Sequence, residues 1–381
     1  MSPVTTHASE STLTTLVLHI GFELAEQTWK LGFTPGLGQR PRVRSVPARD
    51  LDAVLHEVTR ALARFNLPAT TRVVSCYEAG RDGFWLHRAL TARGIANQVV
   101  DAASIEVNRR ARRAKADRLD AEKLALMLVR ATQGDPRVWR VVHVPSEADE
   151  AARQLSREIE AVTHDRTQVV NRIQGLLATE GVKLVLAGDV PAALAAVRRW
   201  DGTPLPAPLV ARLERDWTQV EAVTARLVAL KAQRRTELTT GTTPAHAQMR
   251  QLARLGGIGV ATATVLVREF FGWRAFRNRR QVGGCAGLTA TPFQTGLMHH
   301  EQGISKAGNR RVRYMAIELA WGWLRYQPES ELSVWFRTRY GEAGPRQRRV
   351  GIVALARKLL VALWRYLETD AVPAGARCKK A

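Results

Sequence analysis

Short apolar runs that close on an acid or a turn residue alternate with helical periodicity over residues 1–145. The run Leu16-Val17-Leu18-His19-Ile20-Gly21-Phe22 closes on Glu23, and Val73-Val74-Ser75-Cys76-Tyr77 closes on Glu78. This patterning predicts strands over 14–23, 28–34, 42–46, 71–78, 97–101 and 138–144, and helices over 49–65, 82–94 and 116–133. From 146 to 178 the period changes. Leu155, Ile159, Val162, Val169, Ile173 and Leu176 fall on a heptad seam that Arg166 interrupts. A second helix near 216–238 repeats the seam with Val220, Val223, Leu227 and Leu230. The Gly/Pro-bearing stretch 181–208 between them leaves two arrangements open, an antiparallel hairpin within one chain and a dimerising coiled coil. Beyond Pro244 the pattern is helical and basic to about 370, and the residues after it are expected to fray.

Three early strands, a helix and then a strand bearing an acid follow the element order of a ribonuclease H-like α/β fold. The chain of 381 residues is long enough for two or three domains. It divides into an α/β domain over 1–145, a helical coiled-coil linker over 146–243, a mainly α-helical domain over 244–370 and a basic tail over 371–381.

Charge narrows the class of partner. Lys and Arg number 57 against 35 Asp and Glu, a net of +22, and the sequence pI is about 11.1. Such a polycation favours nucleic acid; a membrane surface is the weaker alternative, because no basic amphipathic anchor stands out. No apolar run is long enough to span a bilayer, and residues 1–15 lack the charged start of a signal peptide. Cys76, Cys285 and Cys378 are scattered, with neither disulfide nor zinc spacing, which points to a reducing cytoplasm.

The acids stand out within this basic chain. Asp117 and Asp120 are three apart on a helical segment and share a face. With Glu23 and Glu78 they form an oxygen-donor set suited to Mg²⁺, or Mn²⁺, in phosphoryl transfer. Further along, Leu255-Gly256-Gly257-Ile258-Gly259 has the form of a helix-hairpin-helix turn, in which Gly257 and Gly259 allow backbone N–H groups to face a phosphate. Thr295, before Gly296, and Ser305 are hydroxyls close in sequence to Lys306, Asn309, Arg310, Arg311 and Arg313. A hydroxyl beside guanidinium groups suits nucleophilic attack on a phosphodiester. A later helix, 352–367, presents Arg357, Lys358 and Arg365, while Trp321, Trp323, Trp335 and Trp364 read as core or interface anchors.

In order, Gly21-Phe22-Glu23-Leu24-Ala25, Tyr77-Glu78-Ala79-Gly80, Asp117-Arg118-Leu119-Asp120-Ala121, the 255–259 turn, 303–313 and 354–360 resemble the motifs of one family. The chain is similar, over about 14–370, to the DEDD-type transposases of bacterial insertion sequences, relatives of the Piv-type invertases and of bridge-RNA-guided recombinases. The resemblance implies a Holliday-junction-resolvase-like first domain, a coiled-coil linker and a C-terminal domain that contributes a nucleophilic serine. It also implies a covalent protein–DNA intermediate, a structured guide RNA and a homo-oligomer, dimer or tetramer. Two positions depart from the family. Glu23 stands where Asp is usual, and Thr295-Gly296 stands where Ser-Gly is expected, which leaves Ser305 as the fallback hydroxyl. Threonine's branched carbon restricts χ1 and crowds an attacking oxygen. Two rival readings therefore stay open, a metal-dependent junction nuclease without a covalent intermediate and a non-catalytic nucleic-acid-binding relic.

The net charge, with cations concentrated at Arg109, Arg110, Arg112, Arg113 and 306–313, generates a first prediction. DNA affinity, read by fluorescence anisotropy, falls about a hundredfold or more between about 50 and 200 mM salt through counterion release. A flat dependence would reduce these patches to solvated faces.

Overall fold

The computed structural model describes residues 16–105, 117–295 and 298–379, with the backbone alone for 292–295 and 298–302. Arg109, Arg110, Arg112, Arg113, Gly296 and the Thr295 side chain lie outside the described residues. The chain forms two compact units, 1–144 and 145–381.

In the first unit, strands β1 (Val17–Glu23), β2 (Thr28–Thr34), β3 (Arg42–Pro47), β4 (Arg72–Glu78) and β5 (Ala96–Val100) form one sheet in the order β3-β2-β1-β4-β5. β1, β2 and β3 pair antiparallel, whereas β4 and β5 extend the sheet parallel to β1. Residues Leu18 to Phe22 are buried without alternation, as expected of a central strand covered on both faces. Helices α1 (Leu51–Arg64) and α2 (Trp85–Ala92) cover one face, over a core that includes Ile20, Phe22, Trp29 and Leu86. Helix α3 (Asp117–Thr132) covers the other, over Val74, Cys76, Leu124 and Leu128.

α3 lies on the sheet at backbone distance, and two glycines permit it. A Cβ on Gly21 would stand 2.5 Å from Ala125 N, and one on Gly32 would stand 2.5 Å from Ala121 O. The expected strand at 138–144 is an isolated bridge, Val100 to Val141. The segment cannot extend into a ladder because the Arg140 N–H donates to Ser104 Oγ instead, at 2.7 Å.

The second unit is mainly helical. Helix α4 (Glu147–Ala151) precedes α5 (Gln154–Thr179), α6 (Val190–Ala196) and α7 (Ala207–Thr240). α5 and α7 run antiparallel within the chain: Arg172 meets Asp216, Arg166 meets Thr224 and Glu158 meets Arg226. Ile159, Val162, Val169, Ile173, Val220 and Leu227 form the seam, but Leu177 is buried in it where Leu176 was expected. Arg166 satisfies itself in the seam by donating to Thr224 Oγ1 at 2.9 Å.

Around a second core that includes Trp323, Leu359 and Tyr366 pack α8 (Pro244–Ala253), α9 (Val260–Leu266), a π-helical turn (Val267–Phe271) and α10 (Arg279–Cys285). Helices α11 (Arg310–Tyr326), α12 (Glu331–Tyr340) and α13 (Pro345–Thr369) complete it. Between α10 and α11 runs an antiparallel hairpin, β6 (Ala290–Thr295) and β7 (Met298–Ile304), within a stretch whose pattern was expected to be helical. The tail does not fray as expected over the residues described. The Gly256 N–H donates to Arg377 O at 3.0 Å, and Lys379 Nζ donates to Ala253 O and Ile258 O, both at 2.7 Å. Among the described residues no helix is long and apolar enough to cross a membrane.

The contact beneath α3 is testable. Gly21→Ala should cost about 1–3 kcal/mol by overpacking, read as a lowered midpoint in urea. An unchanged midpoint would mean that α3 is not held against β1.

Candidate active site and nucleic-acid interface

Strand register gathers the first unit's acids. β1 and β4 are parallel neighbours with Phe22 opposite Tyr77, so Glu23 and Glu78 end adjacent strands at the same edge of the sheet. Side chains alternate along a strand, so Glu23 shares the face of Gly21, and Glu78 shares that of Cys76. Both are the α3 face, because Gly21 touches the α3 backbone and Cys76 Sγ donates to Leu124 O. α3 runs antiparallel to β1, since His19 Nε2 shares a 2.9 Å hydrogen bond with Thr132 Oγ1 while Gly21 meets Ala121 and Ala125. The first turn of α3, with Asp117 exposed and Asp120 half-buried, therefore lies toward the end of β1 that carries Glu23.

All four donors are carboxylates, the chemistry of a hard divalent cation. Among the described residues, however, no three His, Cys, Asp or Glu side chains converge as a metal cluster. Glu122, also near the start of α3, is structural, because Arg118 and Arg40 pair with it at 3.1 and 3.4 Å. Burial, and then the Glu78 charge, pushes the Cys76 thiol up, so it stays a protonated core residue and not a nucleophile.

Sequence reasoning missed a charged latch between the loops that follow β1 and β4. Arg81 pairs with Glu26 and contacts Asp82, while Arg49 reaches Glu26 at 3.4 Å and Asp82 at 3.8 Å. Arg49 lies in the left-handed region at φ 67°, rare for a non-glycine residue, and sequence carries no signal of it.

In the second unit the glycine turn joins α8 to α9. Gly257 has φ +84° and needs to be glycine, because a Cβ there would also meet Tyr326 at 3.1 Å. Gly259 is exposed and precedes α9. The N–H of Gly256 is not available to a phosphate, since the tail occupies it.

Thr295 is the last residue of β6, paired with Met298 across the hairpin connection. The segment after β7 is stitched to 285–289: Ser305 N donates to Thr289 O, Lys306 N to Gly287 O and Asn309 N to Cys285 O. Gly308 makes this possible, because at φ +135° its Cβ would lie 2.3 Å from Cys285 O.

The basic cluster after β7 is sorted by this stitching. Asn309, expected on nucleic acid, is committed inside: Oδ1 accepts from Arg311 N and Val312 N to cap α11, and Nδ2 donates to Glu269. Arg313 Nη1 donates to Lys306 O at 2.9 Å, and Arg311 pairs with Glu160 at 2.5 Å. Lys306 and Arg310 remain exposed. On α13, Lys358 Nζ sits 4.5 Å above the Trp335 ring, Arg357 is half-buried and Arg365 is exposed. Trp323 is core, as expected, but Trp321 is 44% exposed.

A buried acid anchors this region. Glu269, on the π-helical turn, is 1% exposed and takes two hydrogen bonds from Arg157 of α5, at 2.8 and 3.1 Å. Burial pushes its carboxyl up, but the Arg157 bonds, then the Asn309 bond, outweigh it and hold the group below its ordinary value.

Comparison with known proteins falls on both units. The transposase IS116/IS110/IS902 family profile matches residues 249–334, and a DEDD transposase profile of IS110 type matches 44–180. A protein of Sinorhizobium fredii named as a transposase, y4rJ, is 40% identical over 377 residues, covering 95% of this chain and 94% of that protein. A family 20 transposase, so named, of Pseudomonas aeruginosa is 27% identical over 61% of this chain and 67% of its own length. The transposase for insertion sequence element IS1328 of Yersinia enterocolitica is 24% identical, covering 58% of this chain and 63% of that protein.

The Glu269 pair generates a stability prediction with a defined sign. Its folded pKa is depressed, so its contribution is full above the unfolded value, about 4.3, and is lost as pH falls through the folded value. Glu269→Gln should cost about 2–4 kcal/mol near neutrality, at or below the usual range for a broken buried pair because Arg157 is partly solvated. The gap from wild type, read in urea melts, should hold above about pH 5 and narrow progressively as pH falls below about 4. A gap that is constant across this range would disprove the ion-pair account.

Proposed function

The chain belongs to the IS116/IS110/IS902 family of transposases, which cut and rejoin DNA, and from that membership we propose how its own residues divide the work. Glu23, Glu78, Asp117 and Asp120, brought to one end of the α3 face of the sheet, would hold Mg²⁺, with Mn²⁺ as a substitute. When bound, the metal neutralises charge that develops on the phosphate oxygens. The observation that carries this reading is the register that sets Glu23 and Glu78 side by side on the face that α3 covers.

Thr295 supplies the nucleophile. Its Oγ1 gives up its proton as it attacks the phosphorus of a DNA phosphodiester, and the bond to the leaving deoxyribose oxygen breaks. That oxygen takes up a proton, and the phosphate stays esterified to Thr295. Attack by a hydroxyl of another DNA end reverses the chemistry, restores the threonine hydroxyl and joins the strands. The exposed Lys306 and Arg310 hold phosphates by charge, while Arg311 and Arg313 act mainly as braces. A structured RNA selects the DNA, and the chain works as a homo-oligomer; the net charge of +22 supports a nucleic-acid assembly.

Threonine at 295 favours one second reading, hydrolysis by metal-activated water at a DNA junction without a covalent intermediate. Trapping separates the two. With a DNA substrate and Mg²⁺, a denaturation-resistant protein–DNA adduct is expected, lost in Thr295→Ala and formed faster in Thr295→Ser. Cleavage without any adduct in wild type would establish the hydrolytic reading. Asp120→Asn should abolish cleavage while changing DNA affinity less than about threefold, since positioning contacts to phosphate lie elsewhere. Full cleavage by that variant would remove Asp120 from the site.

A further inference from the structure

Helix α13 buries Ile352, Leu355, Leu359 and Leu363 in the core of the second unit, and neighbouring elements rise beside its other side. It forms the floor of an open groove of about 1300 Å³, walled by the start of α10, the base of the β6–β7 hairpin and residues 371–374. Lining residues run from Arg346 to Thr369. At about 1.5 Å per residue the groove follows α13 for roughly 35 Å.

Chemistry is segregated within it. Val353, Ala354, Val361 and Ala362 are half-buried along the floor. Arg346, Arg349, Lys358 and Arg365 are exposed beside them, with Arg357 half-buried. Arg279 and Arg280 face them from α10, and Lys306 from behind β7. Eight cations thus line the groove against one carboxylate, Glu331.

We propose that this groove binds single-stranded DNA, its phosphates against the cations and its sugar and base faces on the apolar floor. The proposal rests on the DNA-processing reading above and names a site for it. A second copy of this chain is a poor occupant of this groove, whose eight cations call for a dense row of anions that a chain with 57 Lys and Arg against 35 Asp and Glu does not offer. A duplex presents its outward phosphates, and pressing them onto valines and alanines would desolvate charge without a partner. An RNA strand would bring one 2′-hydroxyl per nucleotide to the same floor. Beyond backbone carbonyls, only Glu331 and Thr369 among the lining side chains could accept from them. With its cations on phosphates, which every sequence presents alike, and its floor apolar, the groove tolerates any sequence. Ala290 lies at the groove wall, and β6 continues from it for roughly 16 Å, at about 3.3 Å per residue, to Thr295.

The test is the anisotropy of a labelled mixed-sequence DNA strand of about 20 nucleotides, against the matching duplex and RNA strand at one salt concentration. Groove variants should lose more affinity for the DNA strand than for the duplex or the RNA strand. Arg346→Glu/Arg349→Glu, both exposed, should weaken strand binding about tenfold or more. The same charge change on exposed Arg212 and Arg215 of α7 should weaken it less than about threefold. Val350→Asp, at a 57% exposed position beside the floor, should narrow the gap between strand and duplex. Equal losses in the two double variants, or a loss in Arg346→Glu/Arg349→Glu as large for the duplex or the RNA strand as for the DNA strand, would overturn the proposal. These affinities need no cleavage, so a failed assignment of Asp120 or Thr295 leaves them unchanged, and their failure leaves the adduct assay unaffected.

Discussion

Contact between the backbone of α3 and the backbone of β1 and β2 is the constraint on which the first unit depends. At Gly21 and Gly32 no side chain intervenes, and the missing Cβ atoms set the separation between helix and sheet. Because α3 can come this close only over glycine, its axial position along β1 is fixed. The helix start, with Asp117 and Asp120, lies toward the strand ends that carry Glu23 and Glu78. The acids thus inherit their placement from packing several residues away. Packing of this kind transmits small changes, since a close-packed interior has little slack to absorb an added methyl group.

In the second unit a single buried carboxylate has a comparable role. Glu269 joins α5 of the helical hairpin to the cap of α11 through Arg157 and Asn309. The π-helical turn on which it sits is the kind of local irregularity that re-aims a side chain. Nearby, Trp273 has the Arg274 guanidinium 3.7 Å from one ring centroid and Arg153 at 5.4 Å, so cations are held by aromatic faces as well as by acids. A strongly basic chain needs such internal partners wherever guanidinium groups are buried.

Much of the fold was legible because apolar runs in the first unit end cleanly on acids or glycines. The α5–α7 seam was legible as well, because its heptads survive the interruption at Arg166. The β6–β7 hairpin was hidden by Pro292 and by the polar run His299-His300-Glu301-Gln302, which erase strand alternation. Asn309 read as a nucleic-acid contact because it adjoins Arg310 and Arg311; the Gly-Asn step before a helix was the overlooked cap signal. Glu269 carried a signal too, as a lone acid beside Phe270 and Phe271, but a sequence does not say which distant cation pairs with it. The tail escaped notice for a different reason. Its docking runs through the Arg377 carbonyl and the Lys379 ammonium, and composition alone reads Pro373, Gly375 and Lys379 as solvated.

That docking bears on the order in which the protein is made. The glycine turn between α8 and α9 is bridged by Arg377 and Lys379, which are synthesised more than a hundred residues later. While those residues are still inside the ribosome, the carbonyls of Ala253 and Ile258 lack the ammonium group that later bridges them. Completion of the second unit therefore waits until residues 377–379 have left the ribosome, whereas the first unit has all of its strands long before. A message cut short between the two would leave a folded sheet domain attached to an unfinished helical one.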